Sequence, residues 1–246
     1  MKVLGIIPAR FKSSRFPGKP LVNISGKPMI VHVAEKAEEA FGRDGFVVAT
    51  DDIRIMDTVK KYGYNAISTS DDAMTGTDRL WEVAQKIKAD IYVNIQGDEP
   101  MIDPKDILNI VAKKIEFPDF IVNGYSRILG SENPFSINIP KVIVNMKQEL
   151  IYMSRMAIPG CKNENAKPFY YKQVCIYAFN YEELKAFGTH QSKTYLESFE
   201  DIEILRFLEM GYKIKMVETS AASLAVDIPE DVEIVEKALA QINPNN

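Results

Sequence analysis

Ile6-Ile7-Pro8-Ala9-Arg10-Phe11-Lys12-Ser13-Ser14-Arg15-Phe16-Pro17-Gly18-Lys19-Pro20 is the stretch on which the fold turns. Just ahead of it, Lys2-Val3-Leu4-Gly5-Ile6-Ile7 is nearly continuous apolar sequence, the pattern of a central strand buried on both faces of a parallel sheet. Four cations, Arg10, Lys12, Arg15 and Lys19, then fall within ten residues, among two serines and one glycine. A loop leaving the carboxyl end of such a strand is where an open α/β sheet binds its ligand, and the charge specifies an anion. Like charges roughly 6 Å apart repel by about 3 kcal/mol at an effective dielectric of about 20, so convergence of these cations favours a polyphosphate among them. Guanidinium forks and a lysine point charge match phosphate oxygens. The plainer alternative is a solvated basic loop with splayed side chains. Neither G-x-G-x-x-G nor G-x-x-x-x-G-K-[ST] occurs, so any nucleotide site here is built from side chains rather than a glycine cradle.

Outward from this loop, the first half alternates strand and helix. A helical stripe of Ile30, Val33, Ala34, Ala37 and Phe41 opens at Pro28. Strand 46–50 follows, and Asp51-Asp52 cap a helix over 53–62. A short strand near 65–68, a helix over 79–87, strand 91–95 and a helix from Asp103-Pro104 to 115 complete the series. Strand and helix in turn, with short connections, predict a doubly wound, mostly parallel α/β sheet. The second half reads differently. Apolar runs at 120–125, 139–145 and 170–179 predict a small mixed-sheet lobe, with residues 120–180 as cover or subunit contact. Helices at 181–187 and 200–210, strand 213–218 and helix 229–240 close the chain, and the tail 243–246 reads as frayed. No linker separates a second domain, so 1–246 is expected to be one domain.

Composition bounds the function. The chain has 246 residues, 46% hydrophobic and 26% charged, which suits an ordinary globular protein with a large core. A net charge of -4 argues against nucleic acid as a partner. Two cysteines, Cys161 and Cys175, make no disulfide framework, and no apolar run of about eighteen residues marks a membrane span. A cytoplasmic protein with no membrane partner is the expectation.

Three further stretches carry chemistry. Thr75-Gly76-Thr77-Asp78-Arg79 is either a capped helix start or a turn that brings N–H groups, a hydroxyl and a guanidinium to a flat polar base. Asn94-Ile95-Gln96-Gly97-Asp98-Glu99-Pro100 ends a strand with two acids beside the cationic loop. They are either turn residues or the carboxylates through which magnesium bridges to phosphate. Asp227-Ile228-Pro229-Glu230 has capping-box spacing, and a cap aspartate can also face a metal. Spacing alone leaves open whether Asp227 reaches Asp98.

Together with Gly26-Lys27-Pro28-Met29-Ile30, Ala49-Thr50-Asp51-Asp52, Ser154-Arg155 before Ile158-Pro159, and Val226-Asp227 before Pro229-Glu230-Asp231, these motifs resemble the 3-deoxy-manno-octulosonate (Kdo) cytidylyltransferase family nearly end to end. The resemblance implies a glycosyltransferase-A-like nucleotidyltransferase, magnesium dependence and a homodimer. It implies CTP phosphates along Arg10, Ser13, Arg15 and Lys19, base and ribose near Ala9, Thr77, Asp78 and Arg79, and magnesium on Asp98 and Asp227. Arg10, Lys19, Asp98 and Asp227 would then be the catalytic set, with the sugar acid against Gln96, Arg155, Gln173, Tyr177 and Glu200. Neither His32 nor His190 is needed as a base. The acceptor side departs from the family pattern: Gln173 replaces a histidine, Ile204 replaces a glutamine, and no arginine follows Pro159. CMP transfer to a different acid (another ulosonate, an aldonate or a phosphonate) and a non-catalytic nucleotide-binding relative are the alternatives.

Overall fold

The computed structural model describes residues 1–12, 16–130, 132–163, 165–166, 168–190, 192–220 and 223–242; Ser13, Ser14, Arg15 and the tail 243–246 lie outside the described residues. The chain runs β1 (Val3–Ala9), a 3-10 turn (Lys19–Leu21), a small hairpin of β2 (Asn23–Ile24) and β3 (Lys27–Pro28), α1 (Met29–Phe41), β4 (Phe46–Thr50), α2 (Ile53–Lys61) and β5 (Ala66–Ser68). Next come α3 (Gly76–Lys86), β6 (Ile91–Ile95), α4 (Pro104–Glu116), β7 (Ile121–Arg127), β8 (Lys141–Val144), β9 (Leu150–Ser154) and β10 (Tyr171–Phe179). The chain continues with α5 (Tyr181–Thr189), α6 (Tyr195–Glu200), α7 (Ile204–Glu209), β11 (Ile214–Glu218) and α8 (Asp231–Ile242).

Among the described residues one nine-stranded sheet has the order β11-β7-β10-β6-β1-β4-β5, with β8 and β9 branching from β10. β1 pairs in parallel with β4 and with β6, as expected of a central strand. Every residue of β4 and β6 is buried, which is why their apolar runs do not alternate. Ile6 and Ile7 point to opposite faces, and each enters its own core: Ile6 joins the cluster that holds Leu80, Val83, Phe179 and Phe207, and Ile7 the one that holds Ile30, Val33, Val93 and Ile107. The mixed-sheet lobe is continuous with this sheet. β10 is antiparallel to both β6 and β7, and the β8–β9 hairpin extends from it.

Three departures from the sequence pattern bear on the cleft. α3 begins at Gly76 rather than 79, because Thr75 and Asp78 form a reciprocal capping box. The helix expected over 200–210 is shortened to α7, and a further helix, α6, precedes it and ends at Glu200, just before Asp201 turns left-handed at φ 50°. Aspartate tolerates that region better than most residues. Across the break the buried Arg206 grips Glu197 with two bonds of 2.6 and 2.7 Å, which fixes the angle between the helices. α8 starts at Asp231 rather than 229, and the carboxylate that reaches back is that of Asp231, accepting from the N–H groups of Asp227 (2.7 Å) and Ile228 (3.0 Å).

Candidate active site

After β1 the chain winds through β4 and β5 on one side, then crosses to β6 on the other, so the crevice at the carboxyl ends of β1 and β6 is a topological switch point. A cleft of about 600 Å³ opens there, its floor formed by Pro8, Ala9, Gln96 and Gly97. Gly97 permits the close approach: a Cβ at that position would lie 2.6 Å from the Pro8 carbonyl oxygen.

The cationic loop is closed by Gly18, left-handed at φ 73°, whose N–H donates to Phe11 O at 3.0 Å. Lys19 leaves the following turn toward the cleft. Its Nζ donates to Asp98 Oδ2 at 2.6 Å and to Val226 O at 2.8 Å, and stands 3.9 Å from Asp227 Oδ1. The Val226 N–H in turn donates to Asp98 O at 2.9 Å. Val226 is fully buried with Ile24, Met29 and Val235, so an apolar patch beside the β2–β3 hairpin and α8 fixes Asp227 at the cleft rim. Two acids far apart in sequence thus meet about one ammonium.

That pair fits magnesium by donor chemistry, since the ion takes one or two carboxylates and completes its shell with water and phosphate oxygens. Among the described residues no group of three His, Cys, Asp or Glu side chains forms an all-protein cage.

The other predicted residues separate into two groups. Ala9, Arg10, Gln96, Arg79, Arg155, Gln173 and Tyr177 line the cleft with Lys19, Asp98 and Asp227. Arg10 is exposed at its rim, whereas Arg79 is almost wholly buried and braced by Thr69 Oγ1 (2.7 Å), Ser70 O (3.0 Å) and an ion pair with Asp51 (3.3 Å). Arg155 is tied down by backbone carbonyls: its guanidinium donates to Glu200 O (2.5 Å), Ile137 O (2.9 Å) and Asp201 O (2.9 Å). Gln173 Nε2 donates to Tyr177 Oη (3.0 Å) and Asn123 Oδ1 (3.2 Å), and burial pushes the Tyr177 phenol well above its ordinary value. Thr77, Asp78 and Glu200 are not on the wall of the cleft. Thr77 and Asp78 hold the start of α3. Glu200 stands behind Arg155, accepting from its N–H (2.7 Å) and from Ser154 Oγ (2.6 Å). Burial opposes ionisation of Glu200, but these bonds outweigh it and hold its carboxyl below the usual range. Ser13 and Arg15 lie outside the described residues.

One acid escapes a reading of the sequence. Glu203, on the cleft wall, accepts from Gly76 N (3.0 Å), Thr77 N (2.9 Å) and Thr77 Oγ1 (2.5 Å), joining the start of α3 to α7. Burial pushes its carboxyl above the ordinary value. Glu99, which the sequence offered beside Asp98, is buried and accepts from Ser223 Oγ (2.6 Å) and Cys175 N (3.4 Å), tying the segment before Val226 to β10. Asn123 was hidden for another reason. It fills the irregularity between Val174 and Tyr177, donating to Val174 O and Ile176 O at 2.9 Å each. Bulges leave little trace in side-chain patterning. For Glu203 no local pattern points to its role, because its partners at Gly76 and Thr77 lie more than a hundred residues away.

A basic rim and a carboxylate pair at the switch point of a mostly parallel sheet define a nucleotidyltransferase of glycosyltransferase-A-like type. A family model described as "Cytidylyltransferase" matches residues 4–214. The chain is 41% identical to the 3-deoxy-manno-octulosonate cytidylyltransferase of Solibacter usitatus, over 96% of this chain and 94% of that protein. It is 40% identical to the protein of that name from Escherichia coli, over 98% of this chain and 97% of that one. Among solved structures, a CMP:2-keto-3-deoxy-manno-octonic acid synthetase complexed with CTP superposes with a TM-score of 0.90 at 39% identity, covering 98% of this chain and 100% of that one. An inositol-1-phosphate CTP transferase from T. maritima has a TM-score of 0.72 at 14% identity, over 98% and 96% of the two chains, and shares the fold. The chain belongs to the 3-deoxy-manno-octulosonate cytidylyltransferase family.

Proposed function

We propose that this enzyme transfers CMP from CTP to the anomeric hydroxyl of 3-deoxy-D-manno-octulosonate and releases pyrophosphate. The observation that carries the reading is the meeting of Asp98 and Asp227 about Lys19 at the nucleotide end of the cleft. Family membership at about 40% identity supplies the substrates.

Arg10 and Lys19 would receive the phosphates, with Ser13 and Arg15 of the same loop. Base and ribose would rest against Ala9 and Arg79, with Thr77 and Asp78 acting from behind by fixing the start of α3. Asp98 and Asp227 would hold magnesium, which neutralises phosphate charge and makes a nearby hydroxyl more acidic. Gln96, Arg155, Gln173 and Tyr177 would orient the sugar acid so that its hydroxyl oxygen meets the α-phosphorus. A bond forms from that oxygen to the α-phosphorus, the bond to the β-phosphate oxygen breaks, and the hydroxyl proton leaves to solvent. Catalysis in this scheme is positioning and charge neutralisation, which is the common pattern of phosphoryl transfer.

The whole chain would act as one nucleotidyltransferase domain, working in the cytoplasm as a homodimer. The exposed Ile151, Tyr195 and Phe199, with the last two rings 5.0 Å apart, support a second copy as the partner of the β8–β9 side. Among the described residues no helix is long and apolar enough to cross a membrane.

Pyrophosphate release from CTP and magnesium, measured with Kdo, other ulosonates, an aldonate and a phosphonate, tests the reading. Release with Kdo in preference to the rest is expected. Release with another acid only would move the acceptor assignment, and none with any acid would leave a nucleotide-binding relative.

A further inference from the structure

We propose that Lys19 is an internal counter-ion whose ammonium holds the space between Asp98 and Asp227 until a triphosphate draws it away, so that the divalent cation enters with or after the nucleotide. This rests on the reading of those two acids as the magnesium pair.

The geometry of Lys19 is that of a bound cation. Its nitrogen donates to Asp98 Oδ2 at 2.6 Å and to Val226 O at 2.8 Å, and Asp227 Oδ1 stands within ion-pair range at 3.9 Å. Two carboxylates turned toward one point raise each other's free energy unless a positive charge stands between them. The ammonium supplies that charge with no external ion. A divalent cation bound by the same carboxylates would sit within van der Waals reach of the ammonium, where the two repel strongly. The two cations therefore exclude each other.

The lysine is free to leave while its acids stay. Its backbone is fixed by the loop closure at Gly18, and Val22 N donates to Lys19 O at 3.1 Å, so movement is confined to the flexible four-carbon stem. Val226 does not depend on Lys19 for its place, since its N–H bonds to Asp98 O and its side chain is buried with Ile24, Met29 and Val235. The destination is on the same wall: Lys19 and the exposed Arg10 both line the cleft, and a phosphate between them would offer the ammonium a partner as strong as Asp98.

The test is Mn2+ binding without nucleotide, read from the free-ion electron paramagnetic resonance signal, because carboxylate sites for magnesium also accept manganese. Lys19→Met should bind Mn2+ at least about tenfold more tightly than the wild type, by removal of a competing charge. Lys19→Gln keeps a donor to Val226 O without the charge and should tighten binding similarly, which covers the case in which the methionine variant folds poorly. Adding Asp98→Asn to Lys19→Met should abolish the gain. Wild-type crystals soaked with Mn2+ alone should keep Lys19 on Asp98, with no metal between the acids. Unchanged affinity in both lysine variants, a gain that survives Asp98→Asn, or manganese between the acids of the wild type without nucleotide would each overturn the proposal. The transferase reading is scored separately by pyrophosphate release from the wild type, so either can fail while the other stands.

Discussion

At the proposed nucleotide end of the cleft one ammonium gathers two acids and a backbone carbonyl, whereas at the proposed acceptor end Arg155 is committed to three carbonyls and Gln173 to two side chains. The first arrangement consists of charges whose partners a ligand can replace. The second is a preset frame in which the side chains facing the ligand are oriented by groups behind them. The difference follows from the backbone. Strand ends at Ala9 and Ile95 present short loops at the switch point, while the acceptor wall is shaped by the irregularity in β10 and the left-handed Asp201 between α6 and α7. Charge is therefore decisive on one side and geometry on the other.

The largest effect should come from the charged end. Asp98→Asn keeps the shape and removes one of two carboxylates, and turnover should fall by about 10³-fold or more with the unfolding temperature little changed. Pyrophosphate release and a thermal melt check this together. A variant with wild-type rates would break the comparison at its stronger end.

Arg155→Lys is the matching change at the acceptor end. An ammonium cannot reproduce three divergent bonds to Glu200 O, Asp201 O and Ile137 O, so KM for the sugar acid should rise by about tenfold or more while KM for CTP stays put. A rise in the CTP constant instead would show that the two ends are not separable.

Glu203 joins the two ends, and its effect should be read in stability against pH. Burial raises its folded-state pKa above the ordinary 4.5, so the stability it contributes is present below that value and is lost as pH rises through the folded-state value. As pH rises from 4.5 to 8 the wild type should lose stability relative to Glu203→Gln, measured by urea denaturation. Parallel stability curves would contradict the assignment.

The smallest expected change is Gln173→His, which restores the side chain that the family pattern carries there. KM for Kdo should shift by less than about tenfold with the CTP constant unmoved, since Tyr177 and Asn123 can partner an imidazole as well as an amide.

Legibility in the sequence follows the same division. β1, β4 and β6 are buried on both faces, so their composition alone marks them, and the acids and cations at their ends mark the nucleotide rim. β9 did not stand out, because Leu150-Ile151-Tyr152-Met153-Ser154 pairs as a hairpin beside the main sheet and its burial does not alternate cleanly. The break over residues 201–203 turns on the left-handed Asp201, in a stretch whose side chains read as helical. The start of α3 was legible as a cap or as a turn facing a base, but the bonds from Glu203 that hold Thr77 depend on packing far along the chain. Lys19 was legible as a cation for phosphate, but its seat between Asp98 and Asp227 depends on how the segment around Val226 packs, which no local pattern encodes.

Crystals grown with CTP and Mn2+ test the central claim most directly, through the anomalous signal of the metal. A peak held between Asp98 and Asp227 is expected, with the triphosphate along Arg10 and Lys19. A peak that touches neither carboxylate, or a triphosphate that binds away from this rim, would contradict it.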